Sequence, residues 1–300
     1  MTENFVLSLI REKDPTSVIF SKMIELAESK LQLSDLDKSY EDIEDELLRL
    51  EKWLFDAWGV DLYRYHLANR EKNKLAISKA FKLASEKGAN VLISDGYSFR
   101  EHVVVKNSIK AEVDEDFGLS ATPSITSEAS KIFFDVPDLK QAFSGRRFIE
   151  GSSWEMCIVD KIKNPPKTGK KKGIAFLTYY PDAPLHEAKK HGIIELQSIT
   201  AVVGDLVSLI DELSSNVPLV VTGDHGYIFT KGNPGLFLWK NWEPKNRYGE
   251  SYGEFQLKID ETTVAIGRKH APKTTESMIT HGGVSLAESL VPITIIHKKG

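Results

Sequence analysis

The chain has 300 residues, 41% of them hydrophobic and 27% charged, with a formal net charge of -4. That profile excludes an intrinsically disordered chain, and the acidic balance excludes gripping nucleic acid by bulk electrostatics, though not through a local basic groove. The one cysteine, Cys157, excludes an internal disulfide framework and a cysteine-rich zinc ribbon, so any metal must be held by histidine and carboxylate. No run approaches the ~18 apolar residues of a membrane span. The opening MTENFVLSLIREKD mixes acidic with apolar residues and has no small-residue cleavage site, so a signal peptide is not expected and a cytoplasmic protein is.

From Pro15 to about Glu86 the periodicity is helical. SVIFSKMIELAESKLQL spaces its apolar residues by three and four. Ser39 to Asp42 offers a start for a second helix that stops near Gly59, and a third ends at Gly88, a favourable C-terminal glycine. Residues 1–86 are therefore expected to form a helical segment packing on, or leading into, a catalytic α/β domain over 87–300. The segment reads as a structural layer or a docking surface. After Gly88, the runs ANVLISDG, KIFFDV, GIAFLTYY, VPLVVTGDHG and VPITIIH read as strands. Helical stretches such as TSEASKIFF and ITAVVGDLVSLIDELSS lie between them, and this alternation predicts a central, mostly parallel sheet flanked by helices. Segment 234–258, rich in Trp, Tyr, Gly and Pro, reads as a lid or insertion, and Lys167–Gly173 as a solvated turn.

Open α/β sheets deliver functional residues at the carboxyl ends of their strands. Three features obey that rule: Asp95-Gly96 after Val91–Ser94, Asp224-His225-Gly226 after Val217–Val221, and Pro181-Asp182 after Ile174–Tyr180. His186 follows Asp182 by four residues, which places both on one face of a helical turn. Thr280-His281-Gly282-Gly283 precedes the last strand. Each feature alone reads as a turn, a cap or a surface histidine. Together they supply three aspartates and three histidines, a stock suited to two zinc ions without cysteine. Thr126 sits where a loop runs into a helix, and a helix N-terminus favours both phosphate and alkoxide. By local sequence alone, Thr126 and Glu128 read first as a helix cap.

These motifs, in this order, resemble the alkaline phosphatase superfamily. Within it they are most similar to the PglZ domain of phage-defence (BREX) systems and some response regulators. The ending HGGVSLAESLVP, residues 281–292, resembles that domain's HGG-(V/L)-S-x-x-E-x-x-VP, and the likeness spans roughly residues 90 to 296. It implies an alkaline-phosphatase-like three-layer sandwich. It also implies two divalent metal ions, zinc with manganese as the alternative. Asp182, His186 and His281 would hold one, and Asp95, Thr126, Asp224 and His225 the other. In the implied reaction Thr126 attacks phosphorus in line and water then hydrolyses the phosphothreonine, with ions ~4 Å apart.

No cysteine or serine stands at the position of Thr126, which disfavours sulfatase chemistry. No arginine follows Thr126, which favours a diester over a dianionic monoester, although Arg100, Arg146, Arg147 or Arg268 could reach in. The expected substrate is a nucleotide or oligonucleotide, with Arg268 and Lys269 as candidate phosphate contacts, although a surface turn is the simpler reading of GRKHAP. Partner proteins of a defence or signalling system could dock on the N-terminal helices; no membrane partner is expected. A phosphomonoesterase, or a non-catalytic scaffold or regulatory subunit of a defence complex, stands as the alternative. His102 and His191 read as supporting or exposed, and Ser285 with Glu288 as a capping box.

Overall fold

The computed structural model describes residues 3–68, 71–187, 198–230, 247–249, 256–259, 262–268 and 278–298. The chain opens with α1 (Glu3–Arg11), α2 (Pro15–Lys30), α3 (Leu36–Trp58), α4 (Asp61–Ala68) and α5 (Ala76–Lys87). The second expected helix, α3, begins at Leu36 rather than Ser39. Asp35 is its cap, accepting from the Lys38 amide, while Ser39 turns inward and bonds the backbone of Gln32. Gly59 and Gly88 end α3 and α5 as the sequence predicts.

Next come β1 (Asn90–Ser94), α6 (Phe99–Ser108), β2 (Val113–Leu119), α7 (Thr126–Phe134), α8 (Leu139–Ala142), β3 (Arg146–Ile149), β4 (Ser152–Ile158) and β5 (Ile174–Thr178). The run KIFFDV, expected as a strand, is instead the end of α7. Phe133 and Phe134 pack on Phe81 of α5, and the helix stops at Asp135 in a left-handed conformation (φ 57°). The described chain continues through α9 (Asp182–Glu187), α10 (Ile199–Leu213), β6 (Leu219–Thr222), β7 (Ile228–Phe229), β8 (Tyr248–Gly249), β9 (Gln256–Ile259) and β10 (Thr262–Ala265). It closes with β11 (Ile279–Thr280), α11 (Leu286–Ser289) and β12 (Leu290–Ile296). Most of the expected lid, 234–258, lies outside the described residues; Tyr248–Gly249 within it forms an antiparallel pair with β10.

The central sheet has seven strands in the order β2-β12-β6-β1-β5-β4-β3. Strands β4, β5, β1 and β6 are parallel neighbours. β12 runs antiparallel to β6, β2 antiparallel to β12, and β3 antiparallel to β4. Five strands therefore share one direction, the mostly parallel sheet the alternation predicts. Side chains alternate across the pleat. Val91 and Ile93 join a core with Phe81 of α5 and Phe133 of α7, whereas Leu92 joins Val105 of α6 and Leu206 and Ile210 of α10 on the opposite face. The result is a three-layer α/β/α sandwich.

Strand polarity decides where the site forms. β5, β1 and β6 are adjacent and parallel, so the segments leaving their carboxyl ends emerge side by side, about 4.8 Å apart per strand. β12 enters the sheet at that same end, because Leu290 lies beyond Thr222 in the antiparallel register. β2 leaves it there, with Leu119 opposite Leu290. Residues 95–98, 120–126, 179–186, 223–227 and 281–288 thus converge on one edge.

The N-terminal helices share their core with this end of the molecule. Ile43, Leu47, Leu50 and Leu54 of α3 pack in one apolar cluster with Phe99 and Val103 of α6, Leu286 and Ala287 of α11, and Leu290. Among the described residues, no helix is long and apolar enough to cross a membrane.

Candidate metal centre

Two groups of ligand-type side chains form at the convergent edge. Asp182, His186 and His281 make one, Asp95, Asp224 and His225 the other, and within each group the ligand atoms lie within 4.8 Å of one another. The first group is half-buried and the second buried. The rings of His225 and His281 stack with centroids 4.1 Å apart, so the groups share a wall. All six Asp and His residues named from the sequence as candidate ligands are brought together, in the two sets the family resemblance implies.

Local chain geometry positions each. Asp95 follows β1 directly, and its carbonyl accepts from the Asp182 amide at 3.2 Å, tying the β1 and β5 loops. Asp182 opens α9, so His186 returns on its face one turn later, with Nε2 3.4 Å from Asp182 Oδ1. Asp224 and His225 follow β6. Gly226 must be a glycine because its amide bonds the Glu288 carbonyl and a Cβ there would collide with the carbonyl of Ala287. Gly96 has φ +73° and abuts Asp182, a second place where the loops approach too closely for a side chain.

Thr126 is the first residue of α7, not its cap; the cap position is Ile125, which makes no side-chain cap bond. The Thr126 hydroxyl is thereby free to donate to Asp95 Oδ1 at 3.3 Å and lies 3.4 Å from His225 Nε2. The seventh residue named from the sequence stands with the other six.

The donor set fits divalent metal ions on three grounds. Two buried carboxylate oxygens, Asp182 Oδ1 and Asp224 Oδ2, have no hydrogen-bond partner among the described residues. The ring nitrogens facing carboxylate oxygens stand 3.4–3.7 Å away: His186 and His281 from Asp182, His225 from Asp95 and Asp224. Ligand atoms ~2.0–2.2 Å from a tetrahedral ion are about 3.3–3.6 Å apart, so these gaps are too long for good hydrogen bonds but right for a shared cation. Finally, His225 Nδ1 faces the Gly226 carbonyl and His281 Nδ1 faces the Ser124 carbonyl, both at 3.0 Å. A carbonyl only accepts, so Nδ1 carries the proton and Nε2 presents a lone pair to the site.

The electrostatics agree. Burial, then Asp224 and Asp182, push the Asp95 carboxyl well above its ordinary range, with the Thr126 hydrogen bond opposing. Burial resists ionisation of Asp182, but His281, His186 and His225 outweigh it and hold that carboxyl below the usual range. His281 is pushed down to about 4, by burial first and then by His225, with Asp182 opposing. Buried carboxylates packed against one another, as Asp95 is against Asp224 and Asp182, favour a cation beside them.

The proposed phosphate contacts fare differently. Arg268 is buried and pairs with Glu44 and Glu51 of α3. Lys269, like His191 and His270, lies outside the described residues. Arg100 pairs with Glu44, Arg146 with Glu155, and Arg147 bonds the carbonyls of Gln141 and Ala142. His102 is buried, joining Thr294 of β12 and Glu115 of β2.

Several supporting residues escaped the sequence reading. Ser124 bonds both sides of the histidine turn: its hydroxyl donates to the Gly283 carbonyl and accepts from the Gly282 amide. Ser285 caps α11 through the Glu288 amide, but among the described residues the reciprocal half of the expected capping box is not formed, because the Glu288 carboxylate turns elsewhere. It accepts from the Gly283 amide at 2.9 Å and holds buried Arg247. Glu101 accepts from Ser98, Tyr40 and Tyr227, joining the β1 and β6 loops. Its signal was present: Ser98-x-x-Glu101 is a capping box, and α6 starts there.

No protein-family model matches the chain, and no curated protein does. Among solved structures, murine ectonucleotide pyrophosphatase/phosphodiesterase 5 superposes with a TM-score of 0.35 and 13% identity, covering 70% of this chain and 88% of that one. An inactive variant of the same enzyme in complex with AMP gives a TM-score of 0.34 and 12% identity, covering 70% and 87%.

Proposed function

We propose that the chain is a metal-dependent phosphoesterase with Thr126 as its nucleophile, acting on phosphodiesters of the nucleotide or oligonucleotide class. One observation carries this reading: the Thr126 hydroxyl, at the first turn of α7, lies 3.3 Å from Asp95 and 3.4 Å from His225, against paired ligand clusters. Asp182, His186 and His281 would hold one divalent ion, and Asp95, Thr126, Asp224 and His225 the other. Zinc suits the donors, with manganese as the alternative. Such ions, when bound, supply charge neutralisation, a lowered threonine pKa and stabilisation of the leaving oxygen.

The chain's own part is positioning and charge. The Thr126 hydroxyl gives up its proton, Oγ1 forms a bond to phosphorus, and the bond from phosphorus to the leaving alcohol breaks, the alcohol oxygen taking a proton. Water then cleaves the Oγ1–phosphorus bond and the threonine regains its proton. The first amides of α7 have no intrahelical acceptor and favour negative charge at the phosphoryl oxygens. Arg100, Arg146, Arg147 and Arg268 are held by carboxylates or carbonyls elsewhere, which supports a diester over a dianionic monoester. The ordered motifs and the HGGVSLAESLVP ending support membership of the PglZ domains, and with it a cytoplasmic role in phage defence or signalling.

The test is hydrolysis of bis(p-nitrophenyl) phosphate against p-nitrophenyl phosphate, before and after chelation, with zinc and manganese restored. Diester turnover that disappears with chelator and returns with metal is expected. A folded protein inert under every metal would sink the catalytic reading and leave a scaffold or regulatory subunit.

A further inference from the structure

The buried polar side chains of α3 are out of place for a docking helix. Tyr40, Glu44, Leu47, Glu51 and Leu54 follow one another at four- and three-residue steps, so they share the inward stripe. Two carboxylates on such a stripe are costly unless they are matched, and here each is tied to a segment bearing metal-ligand candidates. The Tyr40 hydroxyl donates to Glu101 Oε1 at 2.8 Å, and Glu101 takes its other bonds from Ser98, just after Asp95, and from Tyr227, just after His225. Glu44 pairs with Arg100, whose guanidinium also donates to the Tyr227 carbonyl at 3.4 Å. Glu51 accepts from the Leu286 amide at 3.1 Å, within the segment that runs from His281 to Glu288.

We infer that α3 is a positioning element of the metal centre, with Tyr40 and Glu44 setting the Asp95 and His225 loops and Glu51 setting the His281 loop. This rests on the reading of the clusters as a metal site. The N-terminal helices are then part of the working site rather than a removable docking module. Outer partners of metal ligands carry effects on the order of tenfold in affinity, and the two links act on different loops.

The experiment compares Tyr40→Phe and Glu51→Gln, which keep shape, with Leu47→Ala, which removes packing from the same stripe and touches none of these hydrogen bonds. Two readouts are taken on the full chain: zinc titration calorimetry, and hydrogen–deuterium exchange of the loops. Y40F is expected to speed exchange selectively at 224–227, E51Q selectively at 281–288, and each to weaken zinc about tenfold. L47A is expected to lower thermal stability more than either while leaving zinc affinity within about twofold. If Y40F and E51Q behave like L47A, the positioning role is overturned. If the unaltered protein binds neither zinc nor manganese yet the loops respond as described, the metal reading falls and the positioning role stands.

Discussion

His225 and His281 lie face to face, 19° from parallel, and each belongs to a different ligand cluster. Neither ring can move without disturbing the other. Each is also pinned through Nδ1 to a backbone carbonyl, His225 to Gly226 and His281 to Ser124.

Replacing His281 with Ala should therefore damage both clusters. The Asp182–His186 site is expected to lose its ion, and affinity at the Asp95–Asp224–His225 site to fall about tenfold through the lost wall. Equilibrium dialysis with elemental analysis reads both numbers. Retention of one ion at unchanged affinity would show that the clusters are independent.

Thr126→Ala should abolish turnover of the aryl diester by a factor of about 10³ or more, while Thr126→Ser keeps measurable activity because a hydroxyl remains. Because Thr126 makes no cap bond, the helix has little to lose. The thermal midpoint of the alanine variant should stay within about 2 °C of the parent. Wild-type rates from T126A would remove the nucleophile from this mechanism.

Asp95→Asn removes one of three carboxylates that crowd each other in the buried site. In chelated protein it should raise unfolding free energy by about 1–2 kcal/mol, while abolishing metal-dependent activity. Urea titration of the two metal-free proteins is the measurement. A destabilised variant would mean that the carboxylates are satisfied without a cation.

Glu115 gives a pH prediction away from the ligand clusters. The His102 hydrogen bond, then Lys106, lower its carboxyl to about 2 against the cost of burial. A depressed folded pKa contributes stability above the unfolded value near 4.5 and loses it as pH falls toward 2. Glu115 is 40% exposed, so after solvent screening the contribution is under about 1 kcal/mol. Glu115→Gln should flatten the acid limb of the stability profile between those values, read in chelated protein by denaturant unfolding. An unchanged slope would dismiss the ion pair.

The aspartate loops were readable because each follows a short, fully buried strand with an apolar centre. Asp95 after Asn90–Ser94 and Asp224 after Leu219–Thr222 leave little choice of where the chain turns. Other elements hid for physical reasons. β2, VDEDFGL, is a sheet-edge strand with exposed acidic positions, so it lacks the apolar run of an inner strand. KIFFDV has aromatics adjacent in sequence, and only packing on Phe81 decides for helix. Arg268 read as a phosphate contact or part of a surface turn because its partner Glu51 lies 217 residues away in the sequence. Pairings of that kind leave no local periodicity.

β12 is the last strand in the chain, yet it lies inside the sheet, joining β2 to β6. A nascent polypeptide therefore cannot seat β2 until residues 290–296 have been made, and His281 reaches Asp182 only once the segment just before them is in place. Non-local pairing of this kind makes closure slow. Any truncation that removes β12 leaves a sheet with a missing rung between β2 and β6.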